Sequence, residues 1–234
     1  MLQKIISTIK EGVSGILFPH ICTICDTSLS QTEQAICTTC LISRFEMANP
    51  DYKSVSSDVL LPDGIHIQTA LWGFDKGGEL QELLHKLKYG GRPDIGEGIG
   101  KAMGWELNKH PNFDITNDAC LLPVPLHKKK LKKRGYNQAY HIAKGLSEVI
   151  EVEVCPEACI ERIKNTSTQT GYNLSERTQN MTNAFKVYDD SCIYDKTVVI
   201  VDDVFTTGAT TFELANLLLS SGAKKIMIAT AAQA

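Results

Sequence analysis

Thr197-Val-Val-Ile-Val-Asp202-Asp203-Val-Phe-Thr206-Thr207-Gly208-Ala209-Thr210-Thr211 is the stretch on which the fold turns. Val198, Val199, Ile200 and Val201 are all β-branched and uninterrupted by polar residues, so they read as a strand covered on both faces, as in the middle of a parallel sheet. Asp202 and Asp203 then fall where parallel sheets place ligands, outside the carboxyl ends of their strands. Adjacent carboxylates repel, so stability does not account for the pair. The threonine-rich turn that follows opens a helix over 210–220. The first N–H groups of a helix have no partner within it, threonine hydroxyls add donors, and Gly208 permits close backbone approach. Together these make a cradle for a phosphate monoester, with Asp202 and Asp203 one sugar ring away as acceptors for hydroxyls or as outer ligands to a metal. The competing reading is simple capping of a strand-to-helix turn, which needs no ligand.

Outward from that stretch the chain alternates strand-like and helix-like segments. Residues 65–74 and 119–124 read as strands, the second entering a loop at Pro123 and Pro125, and 226–231 as a last strand. Residues 79–88 form a helix with Leu80, Leu83, Leu84 and Leu87 on one face, stopped by Gly90 and Gly91. Residues 96–107 suit a second helix, and 136–150 a third with Ala139, Ile142, Ala143, Leu146 and Ile150 inward. Such alternation predicts an α/β domain with a mainly parallel twisted sheet flanked by helices. Its expected span is 65–234. A polar stretch over 49–64 reads as a linker to a smaller unit at 1–48.

That smaller unit holds Cys22 and Cys25, then Cys37 and Cys40. Two Cys-x-x-Cys pairs this close are the spacing of a tetrahedral four-cysteine zinc site in a small zinc-ribbon-like module, ahead of a redox pair or an iron–sulfur ligand set. Four filled positions leave no open one for catalysis, so the expected role is folding or docking. Cys120, Cys155, Cys159 and Cys192 look scattered and read as reduced thiols, which points to the cytoplasm. Residues 1–18 pattern as an amphipathic helix broken by Lys4, Lys10 and Glu11, and no cleaved leader is expected. No window approaches the roughly 20 apolar residues of a spanning helix, so no membrane insertion is expected. The net charge of −3 gives no overall pull toward nucleic acid, so such binding must come from a local patch. One exists: Lys128-Lys-Lys-Leu-Lys-Lys-Arg134, with Tyr136 and Tyr140 nearby as stacking faces.

The string at 197–211 resembles the 5-phosphoribosyl-1-pyrophosphate (PRPP) motif of type I phosphoribosyltransferases. Reading backward, Ala184-Phe185, Asn180, Glu176-Arg177, Gln169, Arg134-Gly-Tyr-Asn-Gln-Ala139, Pro123-Val-Pro-Leu-His127 and Lys88-Tyr-Gly-Gly-Arg92 are similar, in order, to landmarks of the ComF (competence protein F) family. The resemblance implies a type I phosphoribosyltransferase-like fold and a cytoplasmic enzyme. It would transfer phosphoribosyl from PRPP, bound with Mg2+, to an unknown acceptor and release pyrophosphate. It further implies the 5-phosphate on Thr206, Thr207, Gly208, Ala209 and Thr210, and the ribose hydroxyls on Asp202 and Asp203. Pyrophosphate would lie on Val124, Pro125, Leu126, His127 and Lys128, with closing contacts from Arg134, Gln169 and Arg177 and a loop over 165–179 that shuts out water. Because ComF relatives are linked to DNA uptake, the alternative is a non-catalytic module for single-stranded DNA or for competence proteins. Two residues depart from the family pattern: Tyr136 stands where phenylalanine is usual, and Asp26 where glycine often follows the first cysteine pair.

Overall fold

The computed structural model describes residues 20–48, 61–115, 118–165 and 183–234. The expected helix at 1–18, most of the 49–64 stretch, Gln169, Arg177 and nearly all of the 165–179 loop lie outside the described residues. A short helix α1 (Thr38–Ser43) closes the cysteine module. Then come β1 (Ile65–Gly73), α2 (Glu79–Tyr89), α3 (Pro93–Leu107), β2 (Ala119–Pro123), α4 (Lys128–Arg134), α5 (Gln138–Ile150), β3 (Ile160–Arg162), β4 (Phe185–Val187), β5 (Thr197–Phe205), α6 (Ala209–Ser220) and β6 (Lys225–Gln233).

Four strands form one sheet in the order β1-β6-β5-β2, every pair parallel. Side chains alternate along a strand, and β5 shows it. Val199 and Val201 enter the core shared with α2, α3 and α5, while Val198 and Ile200 enter the core shared with α6 and the β3–β4 ribbon. All four are fully buried, as the β-branched run predicts for a strand covered on both faces. One feature differs from the sequence reading: the strand does not stop at Val201 but runs on through both aspartates to Phe205, because β6 pairs with it as far as Gln233. β3 and β4 form a separate antiparallel pair that joins the two ends of the 163–184 connection.

The basic run is not a free surface loop. It is helix α4, capped at its start by His127 Nδ1, which accepts from Lys129 N–H at 3.2 Å, and ended by Gly135 at φ +85°. Helix α5 starts at Gln138, two residues later than the periodicity predicts, because Asn137 caps it by accepting from Ala139 N–H at 3.2 Å. Its side-chain NH2 donates to the Val124 carbonyl at 3.1 Å, and Val124 N–H donates to Val201 at 2.9 Å. These two bonds fix the segment after β2 beside the aspartate pair.

Beneath, α3 and α5 touch backbone to backbone. A Cβ on Gly100 would lie 2.0 Å from the Ile142 carbonyl oxygen, and one on Gly145 would lie 2.0 Å from that of Glu97. The buried Glu97 adds an ion pair across the same contact, to Lys144 at 2.7 Å, and lies 3.1 Å from His141 Nδ1. Among the described residues no helix is long and apolar enough to cross a membrane.

Candidate functional site

The cysteine module folds as a knuckle. Cys22 and Cys25 sit on a turn whose residue Asp26 has φ +57°, a left-handed conformation that glycine adopts freely and aspartate tolerates. Cys37 caps α1 through its sulfur and Cys40 lies within that helix. The four sulfurs lie within 4.8 Å of one another, and those of Cys25 and Cys37 are 3.7 Å apart. A tetrahedron with metal–sulfur bonds of about 2.3 Å has sulfurs about 3.8 Å apart, so the cluster fits one metal ion. Backbone N–H groups already face the sulfurs, from Cys37 to Cys22 at 3.3 Å and from Cys40 to Cys37 at 3.4 Å. The Thr27 hydroxyl and then its backbone pull the Cys25 thiol down to about 6, while burial pushes Cys37 and Cys40 up.

The module is seated on the sheet domain. Phe45 packs on the fully buried Trp72 with ring centroids 4.8 Å apart, and its cysteines share a core with α2 and α3. Met47 bridges antiparallel to Trp72 on β1. Arg92 and Lys86, either side of the end of α2, both reach Thr23, at 3.3 Å to its hydroxyl and 3.4 Å to its carbonyl.

The second site lies at the end of β5. Asp202 and Asp203 fall where the alternation of the strand breaks, since Val201 and Val204 pack against one core and Phe205 against the other. Asp203 is buried, with Lys88 Nζ from the last turn of α2 only 3.1 Å from its Oδ2. The contact is a charge contact without hydrogen-bond alignment. Asp202 is half-buried and accepts from Asp203 N–H at 2.8 Å. Burial first, then the neighbouring Asp203 charge, push its carboxyl up to about 7, against the pull of Lys88 and Arg162. The strand then turns through exposed Thr206 and half-buried Thr207 into Gly208, whose φ of +74° gives α6 a glycine cap with no side-chain hydrogen bond. A Cβ there would also meet the Phe212 ring at 2.4 Å. Ala209 and Thr210 begin the helix and are half-buried, with Thr211 Oγ1 donating to the Gly208 carbonyl at 3.1 Å.

Four cations from three separate segments surround this strand end. Lys88 comes from α2, Lys130 and Arg134 from α4, and Arg162 from β3. Arg134 donates to Gln138 Oε1 at 2.6 Å and to the Tyr89 hydroxyl at 3.4 Å, and its guanidinium lies 5.1 Å over the Tyr89 ring. Lys130 is lowered by burial, then by repulsion from Arg162, Arg134 and Lys88, with Asp202 opposing. Arg162 is buried, stacks on Phe185 at 5.4 Å, and is lowered by burial while the Asp202 charge raises it.

The predicted residues therefore divide. Asp202, Asp203, the turn 206–210 and Arg134 come together at one strand end, with Val124 and Pro125 bonded or adjacent to β5. His127 is engaged in capping α4, and Lys128 turns the other way to pair with Glu161 at 2.9 Å. Tyr136 is no stacking face, since its hydroxyl donates to the Leu87 carbonyl and its ring packs edge-on to His141. Cys120, Cys155 and Cys159 are not scattered in space: all three are buried in one core, with Cys192 packed against it. Arg162 is a site residue that the motifs do not mark. Its signal is the alternation in Ile160-Glu161-Arg162, which puts the arginine on the same face as a buried isoleucine.

Among the described residues, the Mg2+ expected with PRPP finds at this strand end no carboxylate clear of a neighbouring cation. Magnesium takes oxygen ligands, one or two carboxylates with waters and phosphates, at about 2.0–2.1 Å in octahedral array, and an ion so placed on Asp203 Oδ2 would lie no further than about 5 Å from the Lys88 ammonium. Asp202, the other carboxylate, shares its surroundings with Arg162 and Lys130.

Residues 131–234 match the phosphoribosyl transferase domain. Over 209 residues the chain is 27% identical to the DNA utilization protein YhgH of Escherichia coli K12, covering 89% of this chain and 88% of that one. It is 35% identical to competence protein F of Haemophilus influenzae over 110 residues, 47% of this chain and 48% of the relative. To competence protein ComFC of Bacillus subtilis it is 23% identical over 212 residues, covering 87% and 73%.

Proposed function

Because the chain belongs to the ComF family and carries a phosphoribosyl transferase domain, we propose that it binds PRPP at the end of β5 and transfers the phosphoribosyl group to an acceptor, releasing pyrophosphate. The observation that carries this reading is the meeting of two carboxylates, an uncapped glycine turn and four cations at one strand end. The turn 206–210 and the first N–H groups of α6 would hold the 5-phosphate, and Asp202 and Asp203 the ribose hydroxyls. Pyrophosphate would lie along 124–127 toward Lys130 and Arg134. When the bond from the anomeric carbon to the pyrophosphate oxygen breaks, its electron pair leaves with pyrophosphate. Positive charge then grows on the sugar beside the carboxylates and negative charge on the leaving group beside the cations. The acceptor's lone pair forms the new bond. Gln169 and Arg177 keep their expected closing role in this proposal.

Calorimetric titration of PRPP into the wild type and into the Asp202→Asn, Asp203→Asn double variant tests the assignment. Binding should be lost in the variant; equal affinities would sink it.

In the same proposal Cys22, Cys25, Cys37 and Cys40 hold one structural zinc ion, which supplies a closed tetrahedral crosslink and no chemistry. Cys120, Cys155, Cys159 and Cys192, as free thiols, suit the reducing cytoplasm.

A second reading, single-stranded DNA binding, is favoured by a separate observation. Tyr89 is 54% exposed with Arg134 over its ring, and Tyr188 is 58% exposed with Lys186 4.7 Å over its own. These tyrosines flank the lysines of α4, giving the charge and stacking faces that a single strand uses. Oligonucleotide anisotropy should weaken with salt and with Tyr89→Ala or Tyr188→Ala. No binding at low salt would eliminate this reading.

A further inference from the structure

Resting on the PRPP reading, we infer that the site takes its polyanion without a protein-bound divalent cation, the Lys88 ammonium standing where a metal-binding site would have its ion. The charge arrangement carries this. A carboxylate pair that serves as a metal site presents free oxygens to solvent or to ligand. Here Asp203 is buried against Lys88 at 3.1 Å, and its side chain is only 8% exposed. Asp202 lies within the fields of Arg162 and Lys88 and beside the Asp203 charge, so neither carboxylate stands clear of a cation. Against these two negative groups stand Lys88, Lys130, Arg134 and Arg162, so the site is already net positive.

The cations are also held in place. Arg134 is fixed by Gln138 at 2.6 Å and by the Tyr89 hydroxyl, and Tyr89 is the residue after Lys88. Arg162 is fixed in the core against Phe185. Lys88 lies in the last turn of a helix whose neighbouring Lys86 and Arg92 are tied to Thr23. Preorganised cations of this kind perform the two tasks a divalent ion performs for a pyrophosphate: they neutralise the bound anion and stabilise charge on the leaving oxygen.

The test is calorimetry with the full chain, titrating PRPP once in EDTA and once with excess magnesium. The wild type should bind in EDTA with an affinity within about tenfold, or ~1.4 kcal/mol, of that in magnesium. Lys88→Met should lose about tenfold or more in EDTA. It should regain part of that in magnesium, because the freed Asp203 can then accept an ion. Thermal unfolding checks that the variant is folded, and Lys130→Gln, at a half-buried surface position, gives a second loss in EDTA that does not depend on the Asp203 pair. Binding seen only with magnesium, or Lys88→Met binding as the wild type does in EDTA, overturns the inference while the PRPP reading stands. Absence of binding under both conditions removes both. Mn2+ added alone, followed by its paramagnetic signal, should leave the chain without a bound ion that Asp203→Asn abolishes; such an ion would also overturn the inference.

Discussion

The cysteine module and the end of β5 sit about the same helix, α2, and are built in opposite ways. In the module four ligands come from two sequence-local pairs, three of the four are buried, and all converge within 4.8 Å. At the end of β5 six charged groups come from α2, α4, β3 and β5, and they face one another across an open turn. The first arrangement is complete once one ion is in place, because closed thiolate tetrahedra leave no vacancy for a ligand. The second keeps an excess of positive charge that only an incoming anion neutralises. A site that serves folding closes on itself, whereas a site that serves binding holds uncompensated repulsion within a rigid frame.

The largest expected effect tests the closed side. Cys40→Ser should release the proposed zinc and destabilise the chain by a large part of the ~10–16 kcal/mol that structural zinc sites contribute in isolated fingers. Metal stoichiometry and the fluorescence of buried Trp72, which packs on Phe45, report it. A variant that keeps its midpoint would erase the contrast.

Next comes Arg162→Ala on the open side. Loss of a charge-assisted contact, about 1.5–3 kcal/mol, should weaken PRPP about tenfold to a hundredfold, read by calorimetry.

The third effect is one of pH. The ordinary Asp202 value of 3.8 rises to about 7 in the folded chain, through burial and then Asp203. The folded state thus binds this proton more tightly than the unfolded state. The stability so gained is full below 3.8 and is lost as pH rises through about 7. Asp202→Asn should therefore raise the thermal midpoint at pH 8 and leave it near that of the wild type at pH 4. Each tenfold difference in proton affinity between the folded and unfolded chain corresponds to roughly 1.4 kcal/mol, which sets the scale of the gain. A midpoint difference independent of pH would show that the two carboxylates are not in conflict.

The smallest effect concerns Lys128, whose exposed pairing with Glu161 lies on the side of α4 away from Asp202. Lys128→Ala should leave the urea midpoint unchanged. It should lower PRPP affinity less than Lys130→Gln does. The reverse order would return Lys128 to the pyrophosphate position that the sequence suggests.

The same contrast explains what was legible in the sequence. The knuckle is written in four cysteines at short spacing, and the sheet in the β-branched run and leucine periodicities, because both patterns are set by neighbours along the chain. Asp202, Asp203 and Gly208 were legible for that reason too. Arg162 was not, and Lys88 stood in a family landmark without its partner, since long stretches of intervening chain decide whether a lone cation meets the aspartate pair or solvent, and only the packed sheet brings them together. The basic run misled in a different way. Its charges suggest one surface, but a helix of that composition points Lys128 and Lys130 in different directions, toward Glu161 and toward the Asp202 cluster.

The glycine contact between α3 and α5 has a consequence for how these parts stay aligned. Asn137, the residue that grips Val124, heads α5, and α5 is seated on α3 through peptide groups that have no rotamers to choose among. The distance from the β2 exit to the paired aspartates is thus inherited from main-chain geometry rather than from side-chain fit. Outer faces of both helices can drift in sequence without moving that distance, while one methyl group at Gly100 or Gly145 would displace it as a block.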